Sequence, residues 1–179
     1  MSVDVLANQF PGAILIDKRE SIVLRSKDLA IHIYPLDAQH DINVVKRLQI
    51  IQNTMESCLS EQQTSIQFPD GRIVALRGNP ILKADLLKDG RVYTESPFIS
   101  GQTISQIIRA IPSNHWLSDE LVSVGEIGVL ERIEKALAGA CDKTILGRVN
   151  TISYNTKAPK ENLIVITDPV EFADSLWNI

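Results

Sequence analysis

The chain has 179 residues, 44% of them apolar and 22% charged, with a formal net charge of −4 and a pI of about 5.4. A chain this long buries enough surface to fold without disulfides or metals, and the lack of a basic excess argues against a nucleic-acid partner. Two cysteines, Cys58 and Cys141, are too few for a disulfide framework and fit a reducing compartment. Residues 1–10 carry no basic n-region, and no run approaches the ~20 apolar residues of a spanning helix. The expectation is a cytoplasmic protein without membrane association.

The β-rich runs Ala13-Ile14-Leu15-Ile16 and Ser21-Ile22-Val23-Leu24 flank the polar Asp17-Lys18-Arg19-Glu20 and predict a hairpin. Leu29 to Tyr34 is a third strand, ended by Pro35, which cannot donate to a ladder. Asp41 then offers an N-cap, and Val44, Leu48, Ile51, Met55 and Leu59 recur at helical spacing. Pro69-Asp70-Gly71 predicts a short hairpin within Ser65 to Leu76. Lys88-Asp89-Gly90 predicts another, between Ile81–Leu87 and Arg91–Phe98, because glycine supplies the positive φ of such turns.

Thr103 to Ile111 reads as a short helix and Ser118 to about Ala140 as a longer one, weakened at Gly125 and Gly128. Thr151–Tyr154 and Leu163–Thr167 predict a last hairpin around Ala158-Pro159-Lys160-Glu161. Strands and helices do not alternate as βαβ units. The expectation is therefore α+β: an antiparallel sheet packed on one long helix, then a small helical part and a C-terminal β-hairpin. It is one domain over residues 1–179, with a sheet-plus-helix lobe over 1–101 and helices with a hairpin over 102–179.

No Walker loop, GxGxxG, GxSxG, HExxH or CxxC is present. His32, His40 and His115 lack metal-ligand spacing. Arg72, Arg77 and Arg91 sit at hairpins and are expected to be solvated. Tyr93, Phe98 and Trp116 read as core before they read as a pocket lining.

Four passages together resemble the protein-kinase-like fold. Ala30-Ile31-His32-Ile33-Tyr34-Pro35 is similar to the family's third strand, where a phosphate-binding lysine follows Ala-Ile. The helix from Asp41 to Ser60 takes the place of its C helix. Asp89 to Gly101 resembles the strand and hinge over which adenine lies. Asn150-Thr151-Ile152-Ser153-Tyr154 and Leu163 to Asp168 resemble the hairpin that carries the metal ligands.

The resemblance implies that Asn150 and Asp168 hold magnesium against ATP, since a hard cation takes one amide and one carboxylate oxygen across a hairpin. The departures imply lost catalysis. His32 stands where the lysine belongs, no glutamate marks the middle of the helix, and Lys143-Thr144-Ile145 replaces the catalytic His-Arg-Asp. No catalytic residue is assigned.

Each of these residues also has a plain reading. Asn150 and Asp168 suit strand ends and turns, and His32 suits a strand with one face in solvent. The leading expectation is a non-catalytic kinase-like module that binds a protein partner, with or without nucleotide. An assembly subunit of unrelated α+β fold stands beside it. So does a small active phosphotransferase, with Asn150 and Asp168 on magnesium and Asp142 as base.

Overall fold

The structure is a computed structural model that describes residues 6, 8–18, 21–141 and 156–167. Among these, nine strands and three α-helices run in the order β1(Ile14–Lys18), β2(Ile22–Ser26), β3(Leu29–Ile33), α1(Ile42–Glu61), β4(Ser65–Gln67), β5(Ile73–Gly78), β6(Lys83–Leu86), β7(Val92–Pro97), α2(Ile104–Arg109), α3(Ser118–Ala140), β8(Thr156–Lys160) and β9(Leu163–Ile166). The fold is mixed α+β, as the element order leads one to expect. The chain divides into two compact units, Met1–Gln49 with Pro80–Phe98 and Ile50–Asn79 with Ile99–Ile179.

The first unit holds a five-stranded antiparallel sheet ordered β1-β2-β3-β7-β6. Successive side chains on a strand take opposite faces. Leu24, Ile31, Ile33 and Tyr93 therefore share one face and are buried with Leu6 and Leu87. Phe10 closes over this face, edge-on to Tyr93 at 5.2 Å between ring centroids. Asp89-Gly90 makes the β6–β7 turn, with Gly90 at φ 89° and the Arg91 N–H donating to Asp89 Oδ1.

Asp41 caps α1 as expected, its Oδ1 accepting from the N–H groups of Asn43 (2.8 Å) and Val44 (3.0 Å). The buried stripe of α1 differs from the expected one by one position at its start. It runs Val45, Leu48, Ile51, Met55, Leu59, and it includes Gln52, which is fully buried.

The second unit carries a four-stranded sheet ordered β4-β5-β9-β8. The sheet is not wholly antiparallel, because β5 and β9 pair in parallel. These strands lie far apart in sequence, and the long intervening chain permits the crossover that parallel pairing needs.

The last hairpin is also shifted. Residues 151–154 lie outside the described residues. The strand opposite β9 is β8, which contains Ala158 and Pro159, and the turn falls at Glu161-Asn162, with Asn162 at φ 60°. Proline fits there because β8 is an edge strand and its ladder is irregular between Lys157 and Lys160. Gly101 backs onto this strand, where a Cβ would stand 2.9 Å from Pro159 Cα.

A capping box between Thr103 and Gln106 starts α2. The weakness expected in α3 appears as a kink at Gly125, whose φ of 75° and ψ of 168° are not helical. One core joins Met55 and Leu59 of α1, Leu76 of β5, Ile104 and Ile107 of α2, Ile133 and Leu137 of α3, and Ile164 of β9.

The Gln52 amide donates to the carbonyls of Asn79 (2.7 Å) and Ile166 (3.2 Å) from a fully buried position. Replacing it by leucine strips a donor from two carbonyls. Gln52→Leu is expected to lower unfolding free energy by about 1–3 kcal/mol, read as a lower urea midpoint with the slope unchanged.

Candidate functional site

In the first unit His32 sits at the centre of β3, opposite Val23 on β2 and Thr94 on β7. Alternation turns it away from the Ile31–Ile33 core face. Its half-buried ring stacks on Tyr34 at 4.3 Å between centroids with 13° between planes. Tyr34, itself 2% exposed, also stacks on His40 at 5.2 Å. Asp37 fixes His40 through a 2.6 Å contact between its Oδ1 and His40 Nδ1, and the same oxygen accepts from the Gln39 N–H. Tyr34 is thus flanked by two imidazoles on the face where the kinase-like reading looks for a lysine.

The two edges of this sheet differ chemically. The β6 edge is short and carries Lys83 and Asp85. The Lys83 ammonium lies 5.5 Å from the centroid of the Tyr93 ring. A hydrogen bond to Tyr93 comes first, then the charges of Tyr93, Glu95 and Asp85, in holding this ammonium above the usual lysine range. The β1 edge instead presents Ile14, Leu15 and Ile16 at 64%, 47% and 50% exposure. The ladder to β2 is irregular between Leu15 and Asp17, so Ile16 is an extra, bulged residue.

In the second unit the expectation of solvated arginines is corrected. Arg72 donates to the Trp116 carbonyl at 2.9 Å and Arg77 to those of Thr64 and Leu76. In the first unit Arg91 pairs with Asp89 at 2.9 Å. Each guanidinium satisfies carbonyl or carboxylate groups that the hairpin and loop backbone leaves open. Tyr93 is core as expected, whereas Phe98 lies under the Arg25 guanidinium, 4.1 Å from its ring centroid.

Arg72 also faces the buried Glu120 at 4.0 Å, beside Asp70. Burial, then the hydrogen bond and charge of Asp70, push the Glu120 carboxyl up. The Arg72 backbone N–H first, and Glu120 second, hold Asp70 down. His115 is structural: its Nδ1 accepts from the Leu117 N–H at 3.1 Å at the start of α3, leaving Nε2 to donate to the Ala158 carbonyl at 3.3 Å. Lys157 donates to the Ile99 carbonyl at 2.8 Å, and burial holds its ammonium below the usual range.

Asn150, Asp168 and Asp142, expected to serve magnesium and base chemistry, lie outside the described residues. Among the described residues no group of three or more His, Cys, Asp or Glu side chains is gathered for a metal ion, and no helix is long and apolar enough to cross a membrane. Sequence reading missed the Tyr34–His40 stack and the Asp70–Arg72–Glu120 cluster. The i, i+3 spacing of Asp37 and His40 was the one local signal for the former. The latter joins a hairpin turn to a distant helix start and leaves no local trace.

No protein-family model and no curated protein matches the chain. Among solved structures it is similar to "PpkA-294 apo form", at a TM-score of 0.43 and 16% identity, over 92% of this chain and 59% of that chain. The chain thus spans less than two thirds of that protein.

The raised Glu120 carboxyl gives a test of the buried cluster. A carboxyl held above its ordinary value contributes stability below that value, and the contribution is lost as pH rises through the folded value. Asp70 has the opposite sign: its contribution is present at higher pH and lost on acidification. Glu120→Gln mimics the protonated form. Its melting temperature is expected to exceed that of the parent at pH 7, and the gap to close as pH falls toward 4.5, the ordinary glutamate value.

Proposed function

We propose that the chain is a non-catalytic, kinase-like binding module that takes an extended apolar segment of a protein partner along the β1 edge. The observation that carries this reading is the exposed Ile14-Leu15-Ile16 run on a strand that, among the described residues, pairs only with β2. Proteins blunt sheet edges with charge, as Lys83 and Asp85 do on β6. On β1 the charges Asp17 and Lys18 stand only at the end of the strand, and the apolar run before them presents main-chain donors and acceptors together with side chains that gain from burial. These are the two ingredients of strand addition.

The residues on β3 do not fit a magnesium–nucleotide complex. Triphosphate recognition uses an extended, permanently charged lysine or arginine. His32 supplies a short ring held flat on Tyr34. This supports binding without phosphate transfer.

Two measurements test the reading. Millimolar magnesium and ATP are expected to leave the unfolding temperature unchanged, whereas a ligand at about 100 times its Kd adds about 2.7 kcal/mol, a shift of several degrees. A clear shift would revive the phosphotransferase reading. A photo-reactive side chain at Leu15 is expected to cross-link a partner that one at Asp85 does not reach. The Ile14→Lys, Ile16→Lys variant should lose at least about tenfold in capture with its melting temperature kept, since surface substitutions cost little. Equal capture by that variant overturns the β1 assignment. A homodimer that dissociates in the same variant would favour the assembly subunit.

A further inference from the structure

We infer that Cys58 and Cys141 are a built dithiol pair that closes to a reversible intrachain disulfide between the last turns of α1 and the end of α3. Cys141 belongs to the buried core of the second unit, and Cys58 packs against that core. Backbone geometry holds them there. Cys58 lies within α1, and its carbonyl accepts from the Gln62 N–H at 3.2 Å. The Gln62 side chain then donates to the Ala140 carbonyl at 3.0 Å, next to Cys141. Cys141 ends α3 in extended conformation, its N–H donating to the Leu137 carbonyl at 2.8 Å. Leu59, Leu137 and Ala140 are buried in the same core around the pair. The two cysteines therefore lie at helix ends already joined by the Gln62–Ala140 hydrogen bond.

Exposure assigns the two roles. Cys58 is half-buried and is the entry thiol, while Cys141 is buried. Burial first, and the neighbouring Cys58 second, push the Cys141 thiol up to about 12. A low-molecular-weight disulfide such as oxidised glutathione is the oxidant. The Cys58 thiolate attacks one of its sulfurs, forming a mixed disulfide and expelling one glutathione thiolate. Cys141 then gives up its proton and attacks Cys58 Sγ, and the second glutathione thiolate leaves. The two cysteines lose two electrons, the oxidant gains them, and the two thiol protons end on the two glutathiones. The second step needs the Cys141 thiolate, which burial disfavours.

The test equilibrates the full chain in buffers of stepped reduced-to-oxidised glutathione ratio, quenches with an alkylating agent and maps the peptides by mass spectrometry without reduction. The expected result is a Cys58 peptide joined to a Cys141 peptide, fully reversed by reductant. Oxidation should raise the melting temperature by about 10 °C, because the bond closes a long loop in the unfolded chain. That gain should be absent in Cys58→Ser and in Cys141→Ala. A lasting glutathione adduct on Cys58 without the linked peptide, a disulfide between chains, or two alkylated thiols at every ratio would each overturn the assignment. Cys58→Ser substitutes a half-buried site, so the comparison stands even if the buried Cys141→Ala variant folds poorly.

Discussion

The buried side chain of Gln52 sets the constraint on which the second unit depends. An amide taken out of water must find partners inside, and this one finds the carbonyls at the ends of β5 and β9, Asn79 and Ile166. The Asn79 N–H donates to the same Ile166 carbonyl at 3.0 Å. Helix and both strands therefore share one acceptor. Parallel pairing of β5 with β9 joins segments distant in the chain, and the loop-closure cost of such contacts is met before they contribute anything. A polar anchor at the strand ends fixes their register where an apolar contact would let them slide. Gly78 completes the arrangement: a Cβ there would stand 3.0 Å from the Glu56 Cα on α1.

The first unit answers a different constraint, that a sheet has two faces and two edges. One face is closed by Leu6, Leu87 and Phe10 over Leu24, Ile31, Ile33 and Tyr93. The other carries His32 and Tyr34 as i, i+2 neighbours, which is why their rings can stack. One edge, β6, carries Lys83 and Asp85. The other opens on the exposed Ile14, Leu15 and Ile16, is bulged at Ile16 and ends on Asp17 and Lys18. A bulge at an edge adds local twist, which disfavours flat self-stacking.

Most of the elements were legible in the sequence because their signals are local. Asp41, Pro69-Asp70-Gly71, Asp89-Gly90 and Ser118 mark a cap, two turns and a helix start where the structure has them. Gly125 marks the α3 break for the same reason. What stayed hidden depends on contacts between distant segments. Nothing near Leu163 announces that β9 runs parallel to β5, and nothing near Gln52 distinguishes it from the solvated polar residues of an amphipathic helix. The misplaced turn of the last hairpin has a local cause: Pro159 looks like a turn residue, and only its place on a sheet edge makes it a strand residue. Of the candidate site, His32 was visible as an anomaly of type, while its stacking needed the fold.

That anomaly bears on how the β3 position works. A lysine at the centre of a sheet must carry its charge on a flexible stem to a counter-ion, because desolvation penalises an ammonium left among strands. An imidazole needs no such escape. It lies flat on an aromatic neighbour and adds area to the packing. With Tyr34 between His32 and His40, and Asp37 holding His40, the face gains a stacked, hydrogen-bonded surface that orders the segment leading into α1. The imidazole at this position thus contributes to the packing of the sheet. A rigid sheet is what strand addition requires, since an edge that is already ordered costs little further conformational entropy when a partner docks.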